Sequence, residues 1–241
     1  MKDRVLIEPR RYDEEPCLQG PAVLSLVPAD LRHVPETWGQ AERLAFKSFF
    51  KLYRLQPKGP VLAGPAMGAP IAVMAAEKLF ALGITDLLIL GWAGSLNPEV
   101  RIGDLVLVEG ALSEEGTSAH YPLPEGRQAG SDPVLTAALE RRLTADGISF
   151  HRGKVWTTDA PYRETADKVE RYGREGLLAV EMEMSALFNL AAFRNKAAAG
   201  LVVITDELAQ GGWKPGFSSP LVASARRTAA GLILKTAQEV I

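Results

Sequence analysis

Two glutamates, Glu181 and Glu183, stand one residue apart in the otherwise apolar stretch LLAVEMEMSALFNLAAF (177–193). A carboxylate seldom gives up its water unless it is paired or hydrogen-bonded, because desolvation costs several kcal/mol. Apolar flanks on both sides argue against a solvated pair. Carboxylates held this way can cap a helix beginning near residue 183, where acids favour the positive end of the dipole. They can also face a ligand and stabilise positive charge that develops during a reaction. A third acid, Asp206, follows the apolar run LVVI (201–204) and so lands at the end of a buried strand. There it can donate a proton to a leaving group, or join Thr205 in capping a turn. Glu207 is adjacent and competes with it for either part.

Positioning these acids requires alternating strands and helices. AVLSLV (22–27), GPVLAGPAMG (59–68), the run 86–90 opening into Gly91 and Gly94, GDLVLVEGAL (103–112), FHRGKVWTTD (150–159), LLAVE (177–181) and LVVITDE (201–207) read as strands. Helical spacing predicts helices over 36–55, 69–83, 133–147, 164–176, 182–200 and 220–241, the second closed by Gly83. Apolar strands alternating with helices imply an α/β fold, a single three-layer α/β/α domain around a mixed, mostly parallel sheet. The charged segment 1–20 reads as an irregular arm ahead of one domain spanning 21–241. Ligands of such sheets bind beyond the carboxyl ends of the strands. GPAMG, GWAGS, TTDAPY, EME and TDE all lie there.

Composition excludes several function classes. The 241 residues carry a formal net charge of −2, with nothing resembling a basic face for nucleic acid. No uncharged run reaches the roughly 18–20 residues that a membrane span needs. The N-terminus lacks the apolar core of a signal peptide, so the expected location is cytoplasmic. Cys17 is the only cysteine, and His33, His120 and His151 are scattered, so no metal or organic cofactor is expected. HExxH, GxxxxGK[ST] and GxSxG are absent. The expected partner is a small molecule.

Five segments in order resemble the nucleoside phosphorylase family of purine nucleoside phosphorylases, uridine phosphorylases and nucleosidases. They are GPAMGAPIAVMAAEKLFALGI, LILGWAGSLNPEVRIGDLVLVEGAL, WTTDAPY, AVEMEMSALF and VVITDEL. The resemblance implies cleavage of the N-glycosidic bond of a nucleoside, with a purine as the expected base, by phosphate. It implies that Glu183 accepts hydrogen bonds from the ribose hydroxyls, that Met182 packs against the sugar and that Glu181 shapes the site from behind. Asp206 would donate to purine N7, and Thr158, Tyr162 and Val180 would line the base. It also implies inorganic phosphate as co-substrate and a homo-oligomer, either a dimer or a hexamer built as a trimer of dimers.

The phosphate site departs from the family pattern. Ile89 and Trp92 stand where relatives carry an arginine and a small hydroxyl residue. VPADLRHV (27–34) is a degraded form of the family's phosphate loop, leaving Arg32, Gly68, Gly91 and Trp92 as the candidate phosphate residues. Arg43 or Lys47 could reach a neighbouring subunit, Lys214 could stand near Asp206, and His120 could approach the 5′ side of the ribose. Two alternatives stay open: a phosphate-independent nucleosidase of the methylthioadenosine or futalosine hydrolase type, with Asp30 the only acid near its first strand, and a nucleoside-binding homologue that has lost catalysis.

Overall fold

The computed structural model describes residues 5–32, 34, 38–46, 48–55, 59–209 and 211–240. The candidates His33 and Lys47 lie outside them. Ten strands form one mixed sheet: β1 (Pro21–Ser25), β2 (Ala41–Arg43), β3 (Lys51–Leu55), β4 (Val61–Gly64), β5 (Asp86–Ser95), β6 (Leu105–Glu114), β7 (His151–Thr158), β8 (Ala179–Glu181), β9 (Ala197–Glu207) and β10 (Lys214–Pro215). The helices described from end to end are α1 (Ala69–Leu82), α2 (Pro133–Ala145), α3 (Ala166–Arg174), α4 (Met184–Arg194) and α5 (Pro220–Glu239). The long ladders, β5 with β9 and β6 with β7, run parallel. β9 also pairs antiparallel with β6, and β8 returns antiparallel to β5, so the sheet curls on itself.

Helices α1 and α4 pack on one face through residues such as Leu79, Leu187 and Phe188. On the other face α2 and α5 pack through Leu139 and Ile233. The expected three layers follow from these two apolar cores, in which each buried Leu or Phe contributes roughly 1.5–3 kcal/mol. A smaller cluster beneath α3 joins Trp156, Tyr172, Leu177 and Val180. Residues 5–20 contain no helix or strand. Among the described residues no helix is long and apolar enough to cross a membrane. Nor does any group of three or more His, Cys, Asp or Glu among them suit a metal ion.

Three local expectations are corrected. From Ala41 on, the helix expected over 36–55 gives way to the antiparallel pair β2–β3. Leu44, Phe46, Phe49, Phe50 and Leu52 lie close enough in sequence to satisfy either periodicity. Gly39 turns the chain with φ +74°, and Phe50 packs against both Phe46 and Phe49 in the connection. The expected helix 182–200 stops at Arg194, where Asn195 takes a left-handed conformation (φ 54°), and the alanines that follow form the start of β9. Alanine's helix preference is overridden by packing. A Cβ at Gly200 would come within 2.5 Å of the Met184 sulfur, so α4 lies close against this end of β9 and demands small residues. Finally, β5 runs through Ser95, with Gly91 and Gly94 inside the strand and not in a loop. A Cβ at Gly91 would stand 2.9 Å from Leu26 Cδ1, so this glycine serves close packing.

Candidate functional site

Gly94 is where three strands meet. It opposes Val180 of β8 and, after a register shift at Ala93, Asp206 of β9. A Cβ there would stand 2.8 Å from Asp206 Oδ2 and 2.6 Å from Leu208 Cδ1, so any side chain at this position would push the acid and Leu208 aside. The junction brings residues more than twenty positions apart into one cavity of about 600 Å³. Val180, Glu181, Met182 and Glu183 form one wall, Thr205, Asp206 and Leu208 another. Trp92, Trp213 and Phe217 supply aromatic surface, while Val27, Met67, Pro161, Tyr162 and Glu164 complete the lining.

The two glutamates divide their work. Glu181 is buried, and its oxygens accept from the Thr157 hydroxyl and from the backbone N–H groups of Glu183 and Met184, the latter two at 2.7 Å. It therefore does cap α4, while also lining the cavity. Glu183 is the helix N-cap residue, but its side chain makes no capping bond. Its Oε1 instead accepts from the N–H of Gly68 at 2.5 Å, across the sheet at the start of α1. Gly68 adopts φ +87°, a conformation that leaves its amide aimed at this carboxylate. Burial pushes both carboxyls up. Glu181, with three donors and a helix N-terminus, is the better-held anion. Glu183, held by backbone amides alone and facing a negative neighbour, is pushed further.

At the other end, Asp206 Oδ1 accepts from Thr205 Oγ1 at 2.9 Å and Oδ2 from Trp213 Nε1 at 2.9 Å. The competing acid is otherwise engaged: Glu207 accepts from the Ile102 N–H and pairs with Arg101 and Lys214. Lys214 is thus not a partner of Asp206. Glu164 was missed in the sequence. It lies just past a short 3-10 turn (Pro161–Arg163), lines the cavity, and is pushed up to about 7 by burial and by the charge of Asp206. Glu164, Leu208 and Trp213 also line an adjoining cavity of about 610 Å³ that runs toward α3.

The remaining candidates separate clearly. Met182, Val180 and Trp92 line the cavity, and so does Tyr162, which stands fully exposed at the mouth. Thr158 does not; its hydroxyl accepts from the Ala160 N–H and stabilises the turn after β7. Trp156 is a core residue whose ring packs tilted against Tyr172, with centroids 4.9 Å apart. Of the candidate phosphate residues, Gly68 gives its N–H to Glu183, and Gly91 is buried in the ladder opposite Val202. Arg32 is exposed and absent from the lining, displaced from it because the chain turns through a short 3-10 segment (Pro28–Leu31) that points Asp30 inward instead. Arg43 and His120 face other cavities. Among the described residues, no lysine, arginine or histidine lines the cavity.

A cation does lie just behind its aromatic wall. Arg226, on α5, donates Nε to Asp30 Oδ1 at 2.6 Å, and Trp92 Nε1 donates to Asp30 Oδ2 at 3.0 Å. The guanidinium sits 4.7 Å from the Trp92 ring centroid. Asp30 is 2% exposed, and burial pushes its carboxyl up despite both donors. Sequence reading paired neither residue with Trp92, because 196 positions separate Asp30 from Arg226.

A model of the Phosphorylase superfamily matches residues 29–238. A guanosine phosphorylase from Halorubrum lacusprofundi is 26% identical over 209 residues, 86% of each chain. A DeoD-type purine nucleoside phosphorylase from Bacillus cytotoxicus is 29% identical over 150 residues, 61% of this chain and 63% of that protein. Among solved structures, purine nucleoside phosphorylase from Toxoplasma gondii in complex with immucillin-H superposes with a TM-score of 0.83 at 22% identity over 92% of each chain. Uridine phosphorylase from Vibrio fischeri gives 0.79 at 23% identity over 90% of this chain and 91% of that one.

Proposed function

The chain belongs to the phosphorylase superfamily, and from that membership we propose that it is a nucleoside phosphorylase. It cleaves the N-glycosidic bond of a purine nucleoside with inorganic phosphate, giving free base and ribose 1-phosphate. The observation that carries this reading is the single cavity with Glu183 and Met182 at one end and Asp206 at the other. That spacing suits a sugar at the first end and its base at the second.

The chemistry follows from the charges. A ribose bound against Glu183 donates its 2′- and 3′-hydroxyls to the carboxylate. As the C1′–N9 bond breaks, positive charge grows on the sugar. Glu181 and Glu183, which repel one another in the empty site, then attract a common cation, so their interaction favours the transition state over the ground state. The bonding pair leaves with the base, and N7 takes up a proton delivered through Asp206. Thr205 and Trp213 fix the two carboxyl oxygens of Asp206 through the hydrogen bonds they donate. A phosphate oxygen forms the new bond to C1′. No organic cofactor or metal enters these steps.

Purine preference is supported by the acid at position 206 and by the guanosine phosphorylase from Halorubrum lacusprofundi among the relatives. We also propose a cytoplasmic homo-oligomer, a dimer or a hexamer. Exposed Ile7, Phe49, Met74 and Phe193 around one surface cavity support a covered face. Light scattering on the purified protein tests it, and a monomer would refute it.

A second reading, a phosphate-independent nucleosidase, draws on the absence of any cation among the described lining residues. One assay separates the two: base release from guanosine, inosine, adenosine, methylthioadenosine and uridine, each with and without phosphate. Release only with phosphate, giving ribose 1-phosphate, is the expected result. Equal release without phosphate, giving free ribose, would establish the nucleosidase. Binding without release under either condition would leave a non-catalytic homologue.

A further inference from the structure

We infer that Arg226 is the phosphate-binding cation of this enzyme, paired with Asp30 and screened by Trp92 until the anion arrives. This assignment rests on the phosphorolytic reading above. A cavity whose described lining includes Glu164, Glu181, Glu183 and Asp206 but no cation repels a phosphate dianion. Something must supply positive charge. Arg226 is seated against the lining: its guanidinium lies 4.7 Å from the ring centroid of Trp92, which is itself part of the cavity wall.

Asp30 engages only Nε of that guanidinium, and Nη1 and Nη2 have no partner among the described residues. A planar guanidinium so held retains donors suited to a second oxyanion. Trp92 is tied in place by one hydrogen bond, its Nε1–H to Asp30 at 3.0 Å, with Phe217 stacked against it at 6.3 Å. Releasing that bond frees both the ring and a carboxylate oxygen. A further polar group on this face of the sheet lacks a partner. Ser25 lies in register with Leu90, so its side chain faces the α5 side of the sheet, as Trp92 does, and its hydroxyl is buried without a hydrogen-bond partner. A buried hydroxyl is seldom left unpaired.

Asp30 is then an internal competitor for the co-substrate. Its removal as a charge should tighten phosphate binding, whereas loss of the guanidinium should weaken it. The test is initial-rate kinetics with phosphate varied at saturating nucleoside, for the wild type, Arg226→Gln and Asp30→Asn. Arg226→Gln should raise the phosphate KM about tenfold or more, the effect of losing charge-assisted hydrogen bonds, with the nucleoside KM within about twofold. Asp30→Asn should lower the phosphate KM. Because a broken buried pair can impair folding, phosphate is also titrated into the wild type alone. It should raise the melting temperature saturably and change tryptophan fluorescence, and Trp92→Phe should abolish the fluorescence change but keep the thermal shift. A phosphate KM unchanged in Arg226→Gln, or no saturable thermal shift in a wild type that needs phosphate, would overturn the assignment alone. Wild-type turnover indifferent to phosphate would overturn the phosphorolytic reading, and this assignment with it.

Discussion

Glu164 makes the stability of the protein depend on pH in a direction opposite to that of most carboxylates. Its folded carboxyl sits at about 7 against an ordinary 4.5, first because burial penalises the charge and then because Asp206 repels it. Below pH 4.5 the group is protonated in both the folded and the unfolded chain, and its contribution to stability is fully present. As pH rises from 4.5 toward 7, the unfolded chain releases its proton first. The folded state must either hold the proton or bear a confined charge, so stability falls across this window and levels above 7. Carrying one carboxyl from 4.5 to about 7 corresponds to at most ~3 kcal/mol. Since the side chain is only partly buried, about half of that is the expected size. Asp206 and Trp213 face it from one side, and Glu170 and Arg174 of α3 share the adjoining cavity. Glu164→Gln keeps the shape and removes the titration. Chemical denaturation of both proteins at pH 5, 6, 7 and 8 should show the variant gaining about 1–2 kcal/mol on the wild type between pH 5 and 8. Parallel stability curves would mean that Glu164 ionises freely and that its apparent confinement is wrong.

Asp206→Asn should lower kcat for purine nucleosides by about a hundredfold or more while nucleoside KM moves only a few-fold; unchanged turnover in a steady-state assay would remove the acid from the mechanism. Glu183→Ala should weaken nucleoside binding by about tenfold or more, measured by calorimetry, since two hydroxyl donors lose a charged acceptor. An unaltered affinity would return Glu183 to a purely local part at the head of α4. Gly94→Ala should damage catalysis more than stability, because the new methyl displaces the Asp206 carboxylate and the flexible end of Leu208 together. Full activity in that variant would contradict the tight junction.

The parts of the site that follow one another in sequence were readable there. Val180, Glu181, Met182 and Glu183 form a strand-to-helix seam, and Asp206 follows an apolar strand; both patterns are local. The parts assembled over long distances were not. Gly94 reads as a flexible loop until β8 and β9 are laid on either side of it. Arg226 reads as one more charge on an amphipathic helix until Asp30 is seen 2.6 Å away. Glu164 reads as the start of a polar helix, because nothing nearby in the chain announces that Asp206 will face it. Residues 41–55 misled for a different reason: a run of closely spaced aromatics and leucines has no single period, and pairing with β4 settles it as sheet.

Engagement of Glu181 on three donors has a practical reach beyond catalysis. Its oxygens are held by Thr157 and by the first turn of α4, so it behaves as a structural strut of the scaffold. Glu183, only two positions on, is tied by a single bond to Gly68. The pair is therefore not interchangeable material for redesign. On the proposed reading, altering the sugar that the pocket accepts is a change to make at residue 183, where one amide is left to find new company. The same change at residue 181 would loosen the head of α4 before any sugar arrived.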